Sequence, residues 1–179
     1  MAALSSTALS WRKAALAALL LAAFAIAVLL LMGRPPICVC GSIKLWHGQT
    51  LSAENSQHIA DWYTFTHITH GLLFYFLLWL ACRLSGRPFD VAKMFVAAVA
   101  IEAGWEILEN TNFVIDRYRA TTADIGYYGD SVINSVFDIM AMALGFLAAA
   151  RLPVWVGIVA AFMLEAGLAL VIRDNLALN

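Results

Sequence analysis

The stretch Ala14–Met32 reads AALAALLLAAFAIAVLLLM and carries no charge. At about 1.5 Å per residue it spans roughly 28 Å, the thickness of one hydrocarbon core. Arg12 and Lys13 precede it, as a basic region precedes a secretory signal. The apolar run exceeds the roughly 7–15 residues of a signal core, and more apolar runs follow. It therefore reads as an uncleaved first membrane helix.

Composition extends that reading to the whole chain. Of 179 residues, 63% are hydrophobic and 13% charged. Soluble domains average about 45–50% apolar and about 25% charged. The mean hydropathy is +0.81. Disorder is excluded, and three cysteines are too few for a disulfide scaffold. A net charge of −1 gives no footprint for a nucleic-acid partner. The expected partner is the lipid bilayer.

The expected fold is all-α: one membrane domain over residues 1–179, with five transmembrane helices in one bundle. The spans fall at about 14–32, 62–84, 91–109, 131–152 and 153–172. Pro153 suits a helix start, where its missing N–H costs nothing. Outer loops cover about 33–61 and 110–130, with no internal repeat or second domain. Lys and Arg set the orientation. Arg12, Lys13, Arg83, Arg87, Lys93 and Arg151 crowd three short segments on one side. Arg34, Lys44, Arg117, Arg119 and Arg173 are spread over long loops and a tail on the other. That density places the N-terminus in the cytoplasm and the C-terminus outside.

Ionisable residues inside spans are expensive and mark function by default. Span two carries His67 and His70; span three carries Glu102, Glu106 and Glu109. Span four opens with Asp130, Asn134 and Asp138, and span five holds Glu165. Each set shares a helix face. Measured from the outer helix ends, His67, His70, Glu102, Glu106, Asn134, Asp138 and Glu165 lie roughly 5–12 Å deep. Antiparallel packing therefore gathers them at one level near the outer face.

Imidazoles mixed with carboxylates suit zinc, manganese or iron better than calcium. The candidate metal ligands are His67, His70, Glu106 and Asp138, and these with Glu102 are the candidate catalytic groups. A metal there would activate water. Without one, His67 or His70 would serve as a general base oriented by Glu102 or Glu106. Other uses are proton movement, or hydrogen bonding that only locks the helices together. Arg117 and Arg119, with Asn134, are the candidate headgroup contacts. Alternatively, an arginine neutralises Glu109 or Asp130. Asp130 or Ser131 suits an N-cap.

In the first loop, Cys38 and Cys40 are so close that a bond between them closes a small, strained ring. The readings open for the pair are redox activity, metal binding, and thiols packed against Trp46. His47 and His58 read as surface residues; His58 and Asp61 alternatively form a rim of the site.

Several strings resemble one bacterial integral-membrane family. They are Ile37-Cys38-Val39-Cys40-Gly41, Ser56 to Tyr63 (SQHIADWY), His67-Ile68-Thr69-His70-Gly71, Trp105 to Asn110 (WEILEN), Asp116-Arg117-Tyr118-Arg119 and Tyr128-Gly129-Asp130-Ser131. The family is uncharacterised protein family 0314, or domain of unknown function 2585. The resemblance implies a multi-pass protein of the bacterial inner membrane and no established activity or cofactor. A looser pattern likeness, through His67, Glu102/Glu106 and Asp130/Asn134, is to VanZ-like membrane proteins. The leading expectation is a membrane-embedded hydrolase or transferase acting on a lipid or envelope headgroup, with a divalent metal. The rivals are a non-enzymatic membrane protein and a small carrier or proton conduit.

Overall fold

Local signals explain where each helix begins. Ser10 caps α1 (Trp11–Leu31), its hydroxyl accepting the Lys13 N–H. Asp90 does the same for α3 (Val91–Glu109), again through the Lys93 N–H. Ser131 caps α5 (Val132–Ala149) through the Asn134 N–H. Pro153 precedes α6 (Val154–Val171). Helix α2 (Thr64–Ser85) stops at Gly86, whose φ of 63° is the left-handed conformation glycine accepts freely. The computed structural model describes residues 8–121 and 126–176.

Four helices, α1, α2, α5 and α6, are long and apolar enough to cross a membrane. The sequence reading counted five. The third of those spans is present as α3, but Lys93, Glu102, Glu106 and Glu109 make it too polar to qualify by composition. The second outer loop is also not loop throughout: Asn112–Thr121 forms α4. Its isolated polarity hid it, because nothing in its pattern carries the apolar stripe of a membrane helix. Among the described residues the β structure is a single isolated bridge, His47 to Asp61.

Helix α2 packs against α5, α6 and α3, while α1 covers α3 and α5. The α2–α5 seam is closed by two glycines. A Cβ on Gly71 would lie 2.1 Å from the Met142 carbonyl oxygen, and one on Gly145 would lie 2.2 Å from that of Ile68. Backbone thus meets backbone, as small residues permit between membrane helices. One end of the bundle is filled by Met94, Phe95, Ala98, Val99, Met142 and Phe146. The other end is polar and covered by the two loops.

Those loops are structural parts of the bundle. The Pro35 and Pro36 carbonyls accept the Val132 and Ile133 N–H groups at 2.8 and 3.2 Å, completing the start of α5. Gln57 Nε2 donates to the Gly129 carbonyl at 2.7 Å, and Ser131 Oγ to the Gln57 carbonyl at 3.0 Å. His47 and His58 are therefore buried, at 8% and 0% exposure, not on the surface. Cys38 and Cys40 are joined to each other in a disulfide; they are not free thiols packed against Trp46.

Candidate functional site

The α2–α5 seam and the neighbouring α3 bring the predicted groups together. His67 Nδ1 lies 2.6 Å from Glu102 Oε1, and His70 Nδ1 lies 3.0 Å from Glu102 Oε2. One carboxylate from α3 thus holds two imidazoles from α2. Glu106, one turn along α3, puts Oε1 3.5 Å from His67 Nδ1. Asp138 of α5 puts Oδ2 3.8 Å from His67 Nε2, and its Oδ1 accepts from Thr64 Oγ1 at 3.2 Å. Glu102 and Glu106 are fully buried, and His67, His70 and Asp138 nearly so.

Two subsets are compact enough for a cation. His67, His70 and Glu102 place donor atoms within 4.8 Å of one another, and so do His67, Glu106 and Glu109. Neither Glu106 oxygen has a hydrogen-bond partner, nor does Glu109 Oε2. Buried carboxylate oxygens without donors are costly.

A cavity of about 200 Å³ adjoins the cluster. Its wall includes Tyr63, His67, His70, Trp105, Glu109, Arg117 and Tyr118, and the tail residues Asn175 and Leu176 close one side. A shallower, almost wholly apolar groove lies on the outside of α2 and α3, lined by His70, Phe74, Ile101, Gly104, Trp105 and Leu108. His70 and Trp105 belong to both. The position of a Gly104 Cβ is open space, which keeps the groove unblocked.

Not every predicted residue joins the cluster. Asn134 Nδ2 donates to the His58 carbonyl at 2.9 Å, which ties α5 to the first loop. Arg119 Nε donates to the Tyr127 carbonyl, and its Nη1 lies 3.7 Å from Asp116. Glu165 accepts the Leu176 N–H at 2.9 Å and so anchors the tail. Of the two arginines, Arg117 is the one at the cavity wall.

Other residues matter that the sequence reading placed at most at the rim of the site or at a helix cap. Asp61 accepts the Ser56 and Tyr63 N–H groups at 3.0 and 2.8 Å, folding the first loop onto α2. Its position just before a helix was the available signal, since aspartate there favours such turns. Burial raises its carboxyl to about 6 against the lowering effect of those N–H groups. Asn110 donates from Nδ2 to Asp130 Oδ2 at 2.8 Å and accepts the Asp130 N–H at 2.7 Å. Tyr127 donates to the other Asp130 oxygen at 2.8 Å. Asp130 is consequently a well-bonded structural carboxyl, although burial still raises its pKa.

Fold and site together define a multi-pass helical membrane protein with a buried His/Glu cluster beside a cavity at one end of its bundle. The chain belongs to the family described as "Protein of unknown function (DUF2585)", whose model matches residues 29–179. A UPF0314 protein of Paracoccus denitrificans is 56% identical over 152 residues, covering 84% of this chain and 76% of its own. The Agrobacterium fabrum relative is 50% identical over all of this chain and 87% of its own. That of Brucella anthropi is 47% identical over 94% of this chain and 84% of its own. No solved structure matches.

Proposed function

We propose that the cluster holds a divalent metal ion and that the protein is a hydrolase or transferase of the bacterial inner membrane, acting on a lipid with an anionic headgroup. The observation that carries this reading is Glu106: a buried carboxylate whose two oxygens have no hydrogen-bond donor, beside His67. The imidazole adds to the argument. With Nδ1 committed to Glu102, His67 turns Nε2 toward Asp138 Oδ2. A proton or a metal ion between Nε2 and that carboxylate supplies the positive charge the pair needs, and the donor-free oxygens of Glu106 favour the metal. The donor set of nitrogen and oxygen suits zinc, manganese or iron.

The cavity and groove support a lipid substrate. Arg117 offers the headgroup a cation at the cavity wall, and the groove continues from His70 and Trp105 along the lipid-facing side of α2 and α3. An acyl chain fits the groove while the polar end reaches the cluster. In the hydrolytic case, water forms a bond to the phosphoryl or acyl centre, the ester bond breaks, and the departing oxygen takes a proton. His67 or His70 moves that proton. In this reading α3 also crosses the membrane, making five spans, its acids turned inward, and the site faces outward with the N-terminus in the cytoplasm. The apolar packing of Met94, Phe95 and Phe146 at the other end speaks against a proton path through the bundle.

The test is metal content of detergent-purified protein, made without chelators, by plasma mass spectrometry. Stoichiometric metal that disappears in folded His67→Ala/Glu106→Ala protein is the expected result. A metal-free wild type defeats the metal reading and leaves the cluster as helix-locking hydrogen bonds.

A further inference from the structure

A second group of donors lies in the first loop, separate from the interior cluster. Cys38, Cys40, Glu54 and His58 each place a ligand atom within 4.8 Å of the others. Cys38 and His58 are buried, at 2% and 0% exposure. The loop backbone fixes this geometry. The Cys40 N–H donates to Cys38 Sγ at 3.2 Å, which turns the two sulfurs to one side. His58 is held between the Lys44 N–H, 3.3 Å from Nδ1, and Glu54 Oε2, 2.9 Å from Nε2. Lys44 Nζ contacts the same Glu54 oxygen.

A further imidazole stands against the group. The His47 ring lies 5.3 Å from that of His58, centroid to centroid. It is buried, and its Nε2 has no hydrogen-bond partner. A buried ring nitrogen without a partner, on a ring packed against the imidazole of this four-donor group, is unusual for a loop whose only task is to cover helices.

We propose that in its dithiol form this loop binds a zinc(II)-type cation through Cys38, Cys40 and His58, with Glu54 or His47 completing the shell. The ligand set is that of tetrahedral zinc sites, two thiolates with imidazole or carboxylate. Coordination through His58 Nδ1 displaces the Lys44 N–H and leaves Nε2–H donating to Glu54, and such an outer partner orients a metal-bound imidazole. The disulfide state cannot bind, because each sulfur is bonded to the other. The two states interconvert in a balanced way. A dithiol reductant delivers two electrons and two protons to the disulfide, giving two thiols. Coordination then releases both protons as the thiolates bind the metal. The loop also supplies the caps of α5 and covers the interior cluster, so cation loading would stiffen the cover of the cavity.

Cobalt(II) tests this on the full chain in detergent, reduced with a phosphine that does not bind metal. The expected result is a thiolate-to-cobalt charge-transfer band in the near ultraviolet, with the visible bands of tetrahedral cobalt. Both are bleached by zinc and absent from the disulfide form. Cys38→Ser/Cys40→Ser should lose the band, while His67→Ala/Glu106→Ala should keep it, because the interior cluster contains no sulfur. A reduced, folded wild type without the band overturns the proposal, as does a band that survives loss of both cysteines. A second measurement needs no variant: zinc should protect Cys38 and Cys40, but not Cys82, from alkylation read by mass spectrometry. Equal alkylation with and without zinc also overturns it.

Discussion

Asp61 makes a prediction that depends on one carboxyl group. Its folded pKa is raised to about 6 from an ordinary 3.8, chiefly by burial. Between those values the folded chain binds more protons than the unfolded one, so stability falls as pH rises through the window. Thermal midpoints in detergent should therefore decline from about pH 4 to about pH 6, and Asp61→Asn should flatten that decline. Asn110 makes a second prediction at this scale. Removing its side chain leaves Asp130 without two of its bonds, so Asn110→Ala should cost about 1–3 kcal/mol in denaturant titrations. At this scale the sequence was informative about His67, His70, Glu102 and Glu106, because charges at helical spacing inside apolar runs are conspicuous. It was silent on Asn134 turning to the loop and on Arg119 bonding to the Tyr127 carbonyl. Those choices depend on backbone carbonyls that no side-chain pattern reveals.

The element that depends most on one contact is the α2–α5 pair. Gly71 and Gly145 let the two backbones touch. Alanine at either position meets carbonyl oxygen and cannot be accommodated by a side-chain rotation. Gly71→Ala or Gly145→Ala should destabilise by about 1–3 kcal/mol, the range for overpacking, seen as a lower melting temperature. The same shift would move His67 and His70 away from Asp138, so metal content should fall with stability. Helix positions were readable from the apolar runs, and α3 agrees with the expected 91–109. Helix α4 was not, because its ten residues are too few and too polar to stand out beside the membrane runs. Nor did the sequence reveal that the prolines before α5 in space, Pro35 and Pro36, lie so far before it in the chain.

The whole molecule is polarised: apolar packing at one end, charge and loops at the other. Its orientation is a matter for labelling. In cells carrying Cys38→Ser/Cys40→Ser/Cys82→Ser protein, a cysteine replacing Asp116 should react with an impermeant maleimide from outside. One replacing Arg151 should react only after permeabilisation. The reverse pattern would put the cavity in the cytoplasm. The gathering of polar groups at one depth followed from helix rise and antiparallel packing. The residues that make up the cover did not follow, since burying Gln57 and His58 in a long loop is a tertiary outcome with no local signal.

The tail offers a practical consequence. Leu176 and Asn175 form part of the cavity wall, pinned by Glu165, and Tyr63 donates to Asp174 at 2.8 Å. An affinity handle fused after Asn179 would begin within a few residues of that wall. A run of histidines there would bring foreign imidazoles to the mouth of the cluster proposed to hold metal. Purification through the other terminus keeps any metal assay free of that artefact.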